Sequence, residues 1–546
     1  MNDTADSAIL KSTPNPFDSR YRLSLGWWNF YFLIKLLLAW RGVIGLHPWT
    51  NLAFILLLAA PIPSRTARIL RSVVSIPLGV ILLYYDSWLP PVKRVIAQAS
   101  SLSQFRFAYL LELVERFVHV EMIAMLVVIW ILYALISRYL KLGVILTAAL
   151  FSLAVLHKFD RGESPATPEN MAQQSDGQGG AHSGVSDLNY QVNSFFSNES
   201  TRQVSFDPVA TGSQPFDIVF IHICSLSWSD LKAMGLDTHP LWQTLDVLYT
   251  RFNTASTYSG PAAIRLLRAP CGQLPHTGLY SATTDQCYLM GSLQQAGFSP
   301  NLLLNHDGHF ENFLKTIETQ KLGITPMKLE GLRPYETAFD DSFVYDDKDA
   351  LTQWIQKRSN DPAKHVALYY NTISLHDGNH LVNDNTRASM KSYGTRLHQL
   401  LDDISQFMVA VKNSGRNTVV VVIPEHGAAI QGDKYQVAGL REIPTPSITL
   451  VPVGIKIIGP KINRADNQRI VSTPSSYLAL SQLVANLIKS SPFDNSSYRA
   501  DDLVRDLPVT KYVAQNADVT MVRDNGQYYL RQDPESGWVP YDAENN

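Results

Sequence analysis

The sequence predicts a two-part protein: an α-helical membrane domain of five spans, followed across a polar linker by an α/β sandwich with a mostly parallel central sheet. Three observations carry this. The apolar residues crowd into the first 160 of 546 positions. Beyond residue 216, short β-rich runs alternate with amphipathic helical stretches. Ionisable residues gather where those runs end, which is where parallel sheets keep their chemistry.

The spans are expected at 26–45, 46–63, 69–89, 118–138 and 142–156, each near the roughly 20 residues that cross a hydrocarbon layer. The polar N-terminal segment, with Pro14, Pro16 and Asp18, lacks the apolar run of a cleaved leader, so the first span is expected to serve as anchor. Basic residues set the orientation: Arg20 and Arg22 before span one, Arg65, Arg68 and Arg71 between spans two and three, and Arg138 and Lys141 between four and five. Those segments are expected in the cytoplasm, which puts everything after His157 on the outer side, the periplasm of a Gram-negative cell. The outer loop 90–117 also carries Lys93, Arg94, Arg106 and Arg116, and its mixed apolar spacing suits the membrane surface. Lys35, inside span one, is expected to snorkel or to pair within the bundle rather than to handle a lipid headgroup. A net charge of −2 and the lack of a basic, aromatic-interleaved stripe exclude nucleic acid as a natural partner.

The domain boundaries follow as 1–157 for the membrane part, 158–215 for a linker and 216–546 for the outer catalytic domain. Runs such as Ser175 to Gly180 are too poor in apolar residues to bury a core. Strands are expected at 218–223, 301–304, 366–371, 418–423 and 453–458. Their continuous apolar character, clearest in Thr418-Val-Val-Val-Val-Ile423, belongs to strands buried on both faces.

Three strand ends supply Cys224, Glu425 with His426, and His376 with His380. Thiolate, imidazole and carboxylate together suit zinc far better than magnesium or calcium. For Glu425 and His426 the bland alternative is an ordinary turn after a buried strand, and for Cys224 a small buried hydrophobe. The chain has three cysteines. Cys271 and Cys287 lie 16 positions apart in an outer domain, where an oxidising compartment favours a disulfide, and no partner then remains for Cys224. Metal coordination would explain an unpaired thiol held there.

Ser259 is the candidate nucleophile. Ser259-Gly-Pro261 marks a helix start, where Ser259 either caps the helix or presents its hydroxyl to a phosphoryl group held by free N–H groups and a metal. His376 is read as a general acid/base, with a second metal site formed with His380, or a loop histidine bonded to nearby backbone, as alternatives. Arg441 and Arg265 each suit a phosphate oxygen or a structural salt bridge. Trp228 and Trp242 are expected in the core rather than stacked on sugar rings.

Four segments together resemble the cellulose phosphoethanolamine transferases, membrane-anchored members of the alkaline phosphatase superfamily. They are His222-Ile-Cys-Ser-Leu-Ser-Trp-Ser-Asp230, Ser259-Gly-Pro-Ala-Ala-Ile-Arg-Leu-Leu-Arg268, Leu375-His-Asp-Gly-Asn-His380 and Pro424-Glu-His-Gly427. The resemblance runs through nearly the whole chain and implies an alkaline phosphatase-like outer domain. It implies zinc at Cys224, Glu425 and His426, with Ser259 as the nucleophile touching the metal, and Tyr258, His376 and Arg441 lining the substrate site. The superfamily more often has an acidic residue at the place of Cys224 and an Asp-His pair at that of Glu425-His426. These departures argue against a lipid A-modifying enzyme and for one metal rather than two. The expected reaction carries phosphoethanolamine from phosphatidylethanolamine to glucosyl units of cellulose through a phospho-serine, with membrane and other cellulose synthase subunits as partners. The rivals are a scaffold with structural zinc and another phospho- or sulfo-transferring hydrolase of the same superfamily.

Overall fold

In the computed structural model, residues 25–41, 44–62, 64–87, 105–117, 120–137, 139–160, 184–382, 389–433, 435–495, 497–534 and 536–542 are described. The N-terminal basic residues Arg20 and Arg22, with Lys93, Arg94 and Arg138, lie outside them.

The β-rich runs build one seven-stranded sheet. Its strands are β1 (Asp217–Ile223), β2 (Val247–Asn253), β3 (Ser299–Leu304), β4 (Val366–Thr372), β5 (Thr418–Pro424), β6 (Leu450–Ile458) and β7 (Arg469–Val471). They lie in the order β7-β2-β6-β5-β1-β4-β3. The central strands β1, β4 and β5 are buried along their whole length, as continuous apolar runs require. β3, β4, β1 and β5 run parallel, and β6 runs antiparallel to both β5 and β2. Two apolar layers cover the two faces. One gathers Phe220 and Val421 with Leu480 and Leu483 of the helix Tyr477–Lys489; the other gathers Val219 and Val420 with Leu397 and Leu401 of the helix Ser389–Asn413.

Two strands of this sheet were not expected from sequence: β2, whose Tyr249-Thr-Arg251 interrupts the apolar run, and the three-residue edge strand β7. A small antiparallel sheet of Val513–Asn516, Val519–Asp524, Gln527–Arg531 and Val539–Tyr541 adds a satellite core near Ala255 and Ile443.

The chain divides into two compact units, 1–89 with 118–178, and 90–117 with 179–546. Residues 105–117, assigned from sequence to the membrane part, fall in the second unit, where Tyr109 and its neighbours pack with Phe339 and Val344 in one apolar cluster. The expected linker contains the helix Gly184–Glu199, whose Leu188, Val192 and Phe195 pack on Val513, Val522 and Trp538. The rest of that linker, 161–183, lies outside the described residues.

In the first unit, among the described residues, one helix, Arg65–Asp86, is long and apolar enough to cross a membrane. Trp28–Trp40, Pro48–Ala59, Glu121–Ile136 and Leu142–Val155 are shorter apolar helices. Lys35 is buried and pairs with Asp86, and Asn51 bonds to both: Lys35 Nζ donates to its Oδ1 at 2.7 Å and its Nδ2 donates to Asp86 Oδ2 at 2.8 Å. This is the pairing within the bundle that burial of a cation demands.

Candidate functional site

Register brings the expected residues together. Ile223 pairs with Thr372 on one side and Pro424 on the other, so the chain leaves β1, β4 and β5 at one place. Just beyond, Ser225 takes φ of +63°, and the Leu226 amide donates to the His426 carbonyl at 2.6 Å. Asp230 fastens the two exits. Its Oδ2 accepts from the Ser227 amide at 2.9 Å, the Ser227 hydroxyl at 2.7 Å and the Ala428 amide at 2.8 Å. Burial raises its pKa to about 6.

The ligand-type atoms of Cys224, Glu425 and His426 lie within 4.8 Å of one another, and all three residues are buried. His426 Nδ1 faces the Gly427 carbonyl at 2.9 Å and so carries the proton, leaving Nε2 with its lone pair. That Nε2 and Glu425 Oε2 are buried without a hydrogen-bond partner. Glu425 Oε1 accepts from Asn371 Nδ2 at 2.6 Å. Burial lifts the Glu425 carboxyl to about 7, and burial together with Glu425 pushes the Cys224 thiol up to about 12. A thiolate at neutral pH therefore needs a cation at the cluster, and the orphaned donors offer one a place. The set fits a zinc ion held by sulfur, nitrogen and oxygen.

Ser259 opens the helix Ser259–Leu267. The capping position falls to Tyr258, and no side chain caps the helix, so Ser259 is not spent on capping. Its Oγ stands 3.4 Å from Cys224 Sγ, at the edge of the cluster. Ser259 also lines a cavity of roughly 350 Å³ shared with Tyr258, His376, Arg441, Asn371 and Glu311. Tyr258 donates to Glu442 at 2.6 Å, and the Arg441 guanidinium lies 5.4 Å from the Tyr258 ring centre while donating to Ser225 Oγ at 3.0 Å.

His376 sits on the loop after β4, its ring 4.8 Å from that of Phe339. Its Nδ1 faces the Asp377 carbonyl at 2.6 Å, which leaves Nε2 as the proton acceptor. Burial, then Arg441, pulls its pKa down to about 4, so the imidazole is neutral at pH 7.

Other sequence candidates fall elsewhere. His380 pairs in a short strand and approaches Glu112 at 3.8 Å; among the described residues it forms no metal-binding group with His376. Arg265 is buried, donating to Ser256 Oγ at 3.0 Å and to the Leu274 carbonyl at 2.9 Å, and does not line the cavity. Cys271 and Cys287 are disulfide-bonded and Cys224 is free. Trp228 and Trp242 pack together at 6.0 Å.

Sequence reading missed His222, Asn371 and Tyr109. His222 is buried two residues before Cys224 on the same strand face, bonded through Nδ1 to the Tyr369 hydroxyl at 2.9 Å and 3.4 Å from Glu425 Oε1. Its two-residue spacing from Cys224 was the available signal. Asn371 is the polar residue that breaks an apolar run, and nothing local marks Tyr109.

The signature of the family described as "Cellulose biosynthesis protein BcsG C-terminal domain" matches residues 172–538, and that of the BcsG N-terminal domain matches 28–155. The chain is 36% identical to the cellulose biosynthesis protein BcsG of Salmonella typhimurium, over 97% of its own length and 98% of that protein's. It is likewise 36% identical to the Escherichia coli BcsG, over 96% and 97%. A crystal structure of a protein in the alkaline phosphatase superfamily from Vibrio parahaemolyticus superposes with a TM-score of 0.44 at 15% identity, covering 65% of this chain and 89% of that one.

Proposed function

The chain belongs to the cellulose biosynthesis protein BcsG family, and on that premise we propose that it transfers phosphoethanolamine from phosphatidylethanolamine to glucosyl units of cellulose through a phospho-serine at Ser259. The observation that carries the reading is the juxtaposition of the Ser259 hydroxyl with a buried Cys224, Glu425, His426 cluster at the edge of a cavity.

Zinc bound by Cys224, Glu425 and His426 would lower the pKa of a neighbouring hydroxyl and stabilise charge on phosphoryl oxygens. The chain's own groups do the rest. In the first half-reaction the Ser259 oxygen bonds to phosphorus as the bond to the diacylglycerol oxygen breaks, and the serine proton passes to that leaving oxygen through His376. In the second, His376 takes the proton of a glucosyl hydroxyl as its oxygen attacks the phospho-serine, and the proton returns to Ser259. A neutral imidazole, which the low His376 pKa provides, suits both acts. Tyr258 and Arg441 face the phosphoryl group, and the Arg441 guanidinium offers it charge.

A scaffold with structural zinc would call for four enclosing protein ligands. The described residues group three, beside a hydroxyl open to a cavity, which favours chemistry. The five spans and the outer, periplasmic side of the catalytic unit are part of the same proposal, since a two-chain lipid donor stays in the bilayer. So is contact with other cellulose synthase subunits.

Metal analysis of the purified full chain tests the foundation. About one zinc per chain is expected, lost from folded Cys224→Ala and His426→Ala variants. A wild-type chain free of metal yet active in transfer would overturn the assignment.

A further inference from the structure

The loop that carries His376 is held from an unexpected direction. Segment 105–117 lies in sequence between the membrane-length helix Arg65–Asp86 and the apolar helix Val120–Ile136, yet it packs in the catalytic unit. Tyr109, on its helix Phe107–Phe117, is buried, and its hydroxyl donates to Asp377 Oδ2 at 3.1 Å. The backbone carbonyl of that same Asp377 receives Nδ1–H of His376. Beside it, Gly378 is closed in by the same ring: a Cβ there would stand 2.9 Å from Tyr109 and 2.6 Å from Phe339. The Arg106 amide meanwhile donates to the carbonyl of Phe339, the residue whose ring lies against His376, at 2.9 Å. Asp377 is thus fixed at its side chain by one segment and fixes the imidazole by its backbone.

We propose that Tyr109 is a positioning residue for His376, aiming the imidazole through Asp377, so that the membrane-flanked segment completes the proton-transfer machinery of the outer unit. The inference rests on the reading of His376 as the proton carrier. In the first half-reaction the diacylglycerol oxygen is a poor leaving group and must receive a proton as the phosphorus–oxygen bond breaks. A donor whose leaving group departs as a stable anion needs no such proton, and the proton of a serine hydroxyl acidified by the metal can then pass to water.

The test uses the full chain in detergent with two donors, phosphatidylethanolamine and p-nitrophenyl phosphoethanolamine, reading phospho-serine formation from the first and the nitrophenolate burst from the second. Tyr109→Phe keeps the ring that packs on Gly378 and Phe339 and removes only the hydroxyl. It is expected to slow the lipid reaction about tenfold, part of the roughly 10²- to 10⁴-fold that positioned acid–base catalysis contributes, and to leave the burst within about twofold. Asp377→Ala should behave alike, whereas Asp377→Asn, which keeps an oxygen acceptor for Tyr109, should recover most of the rate. Equal losses on both donors, or no loss on either, would overturn the proposal. His376→Ala is run beside them. If it separates the donors and Tyr109→Phe does not, the positioning role alone fails; if it does not separate them, the proton-carrier reading fails and the inference with it.

Discussion

Gly378 sits at φ +85°, a conformation that side chains resist, with Phe339 and Tyr109 filling the space a Cβ would take. Gly378→Ala should therefore cost more than about 1 kcal/mol and shift the His376 loop, lowering transfer well beyond any loss of folded protein. Wild-type turnover in a folded variant would contradict this. The residues at the cluster were legible because their types are informative alone: a cysteine without a disulfide partner and an ionisable pair after a buried run. Tyr109 was not, because its partner lies 268 positions away, and only the fold joins them. His222 and Asn371 were hidden in strands whose neighbours are apolar. Arg265, by contrast, had the right chemistry in the right motif, but its helix turns the guanidinium toward Ser256 and Leu274.

At the scale of elements, the site depends on two strand exits being sewn together by Asp230. Gly427 lies in that seam, where a Cβ would stand 2.7 Å from Ser227 Oγ and 2.9 Å from Asp230 Oδ2. Gly427→Ala is predicted to destabilise by about 1 to 3 kcal/mol through overpacking and to reduce bound zinc, since His426 is the preceding residue. Unchanged melting and metal content together would show the seam to be slack. The buried parallel strands were readable from their continuous apolar runs. The antiparallel sense of β6 was not, because direction leaves no mark on a strand buried on both sides. Nor was the helix Gly184–Glu199, whose overall polarity concealed the spacing of Leu188, Val192 and Phe195 along one face.

For the whole molecule, residues 105–117 join the second compact unit, a long-range association that composition along the chain could not reveal. Stability should carry a pH signature there. Glu336 is buried, accepts from Asn379 at 2.9 Å, and is raised to about 7 by burial; Asp403 is raised to about 8 by burial and by Asp346 and Asp347. A carboxyl whose folded pKa exceeds its unfolded value of about 4 holds its proton more tightly when folded. Its contribution is full below that value and is lost as pH rises through 7 for Glu336. The chain should thus melt lower at pH 8 than at pH 5, and Glu336→Gln should flatten that slope by on the order of 3 kcal/mol. An unaltered slope would mean that Glu336 is not the titrating group. The central claim, a phospho-serine in metal-assisted transfer, is tested most directly by trapping it. The full chain is incubated with phosphatidylethanolamine without acceptor, quenched and digested, and the peptide bearing Ser259 is examined by mass spectrometry. Phosphoethanolamine on Ser259, absent from Ser259→Ala, is the predicted result; transfer that persists in Ser259→Ala, or a group carried on another residue, would contradict the account.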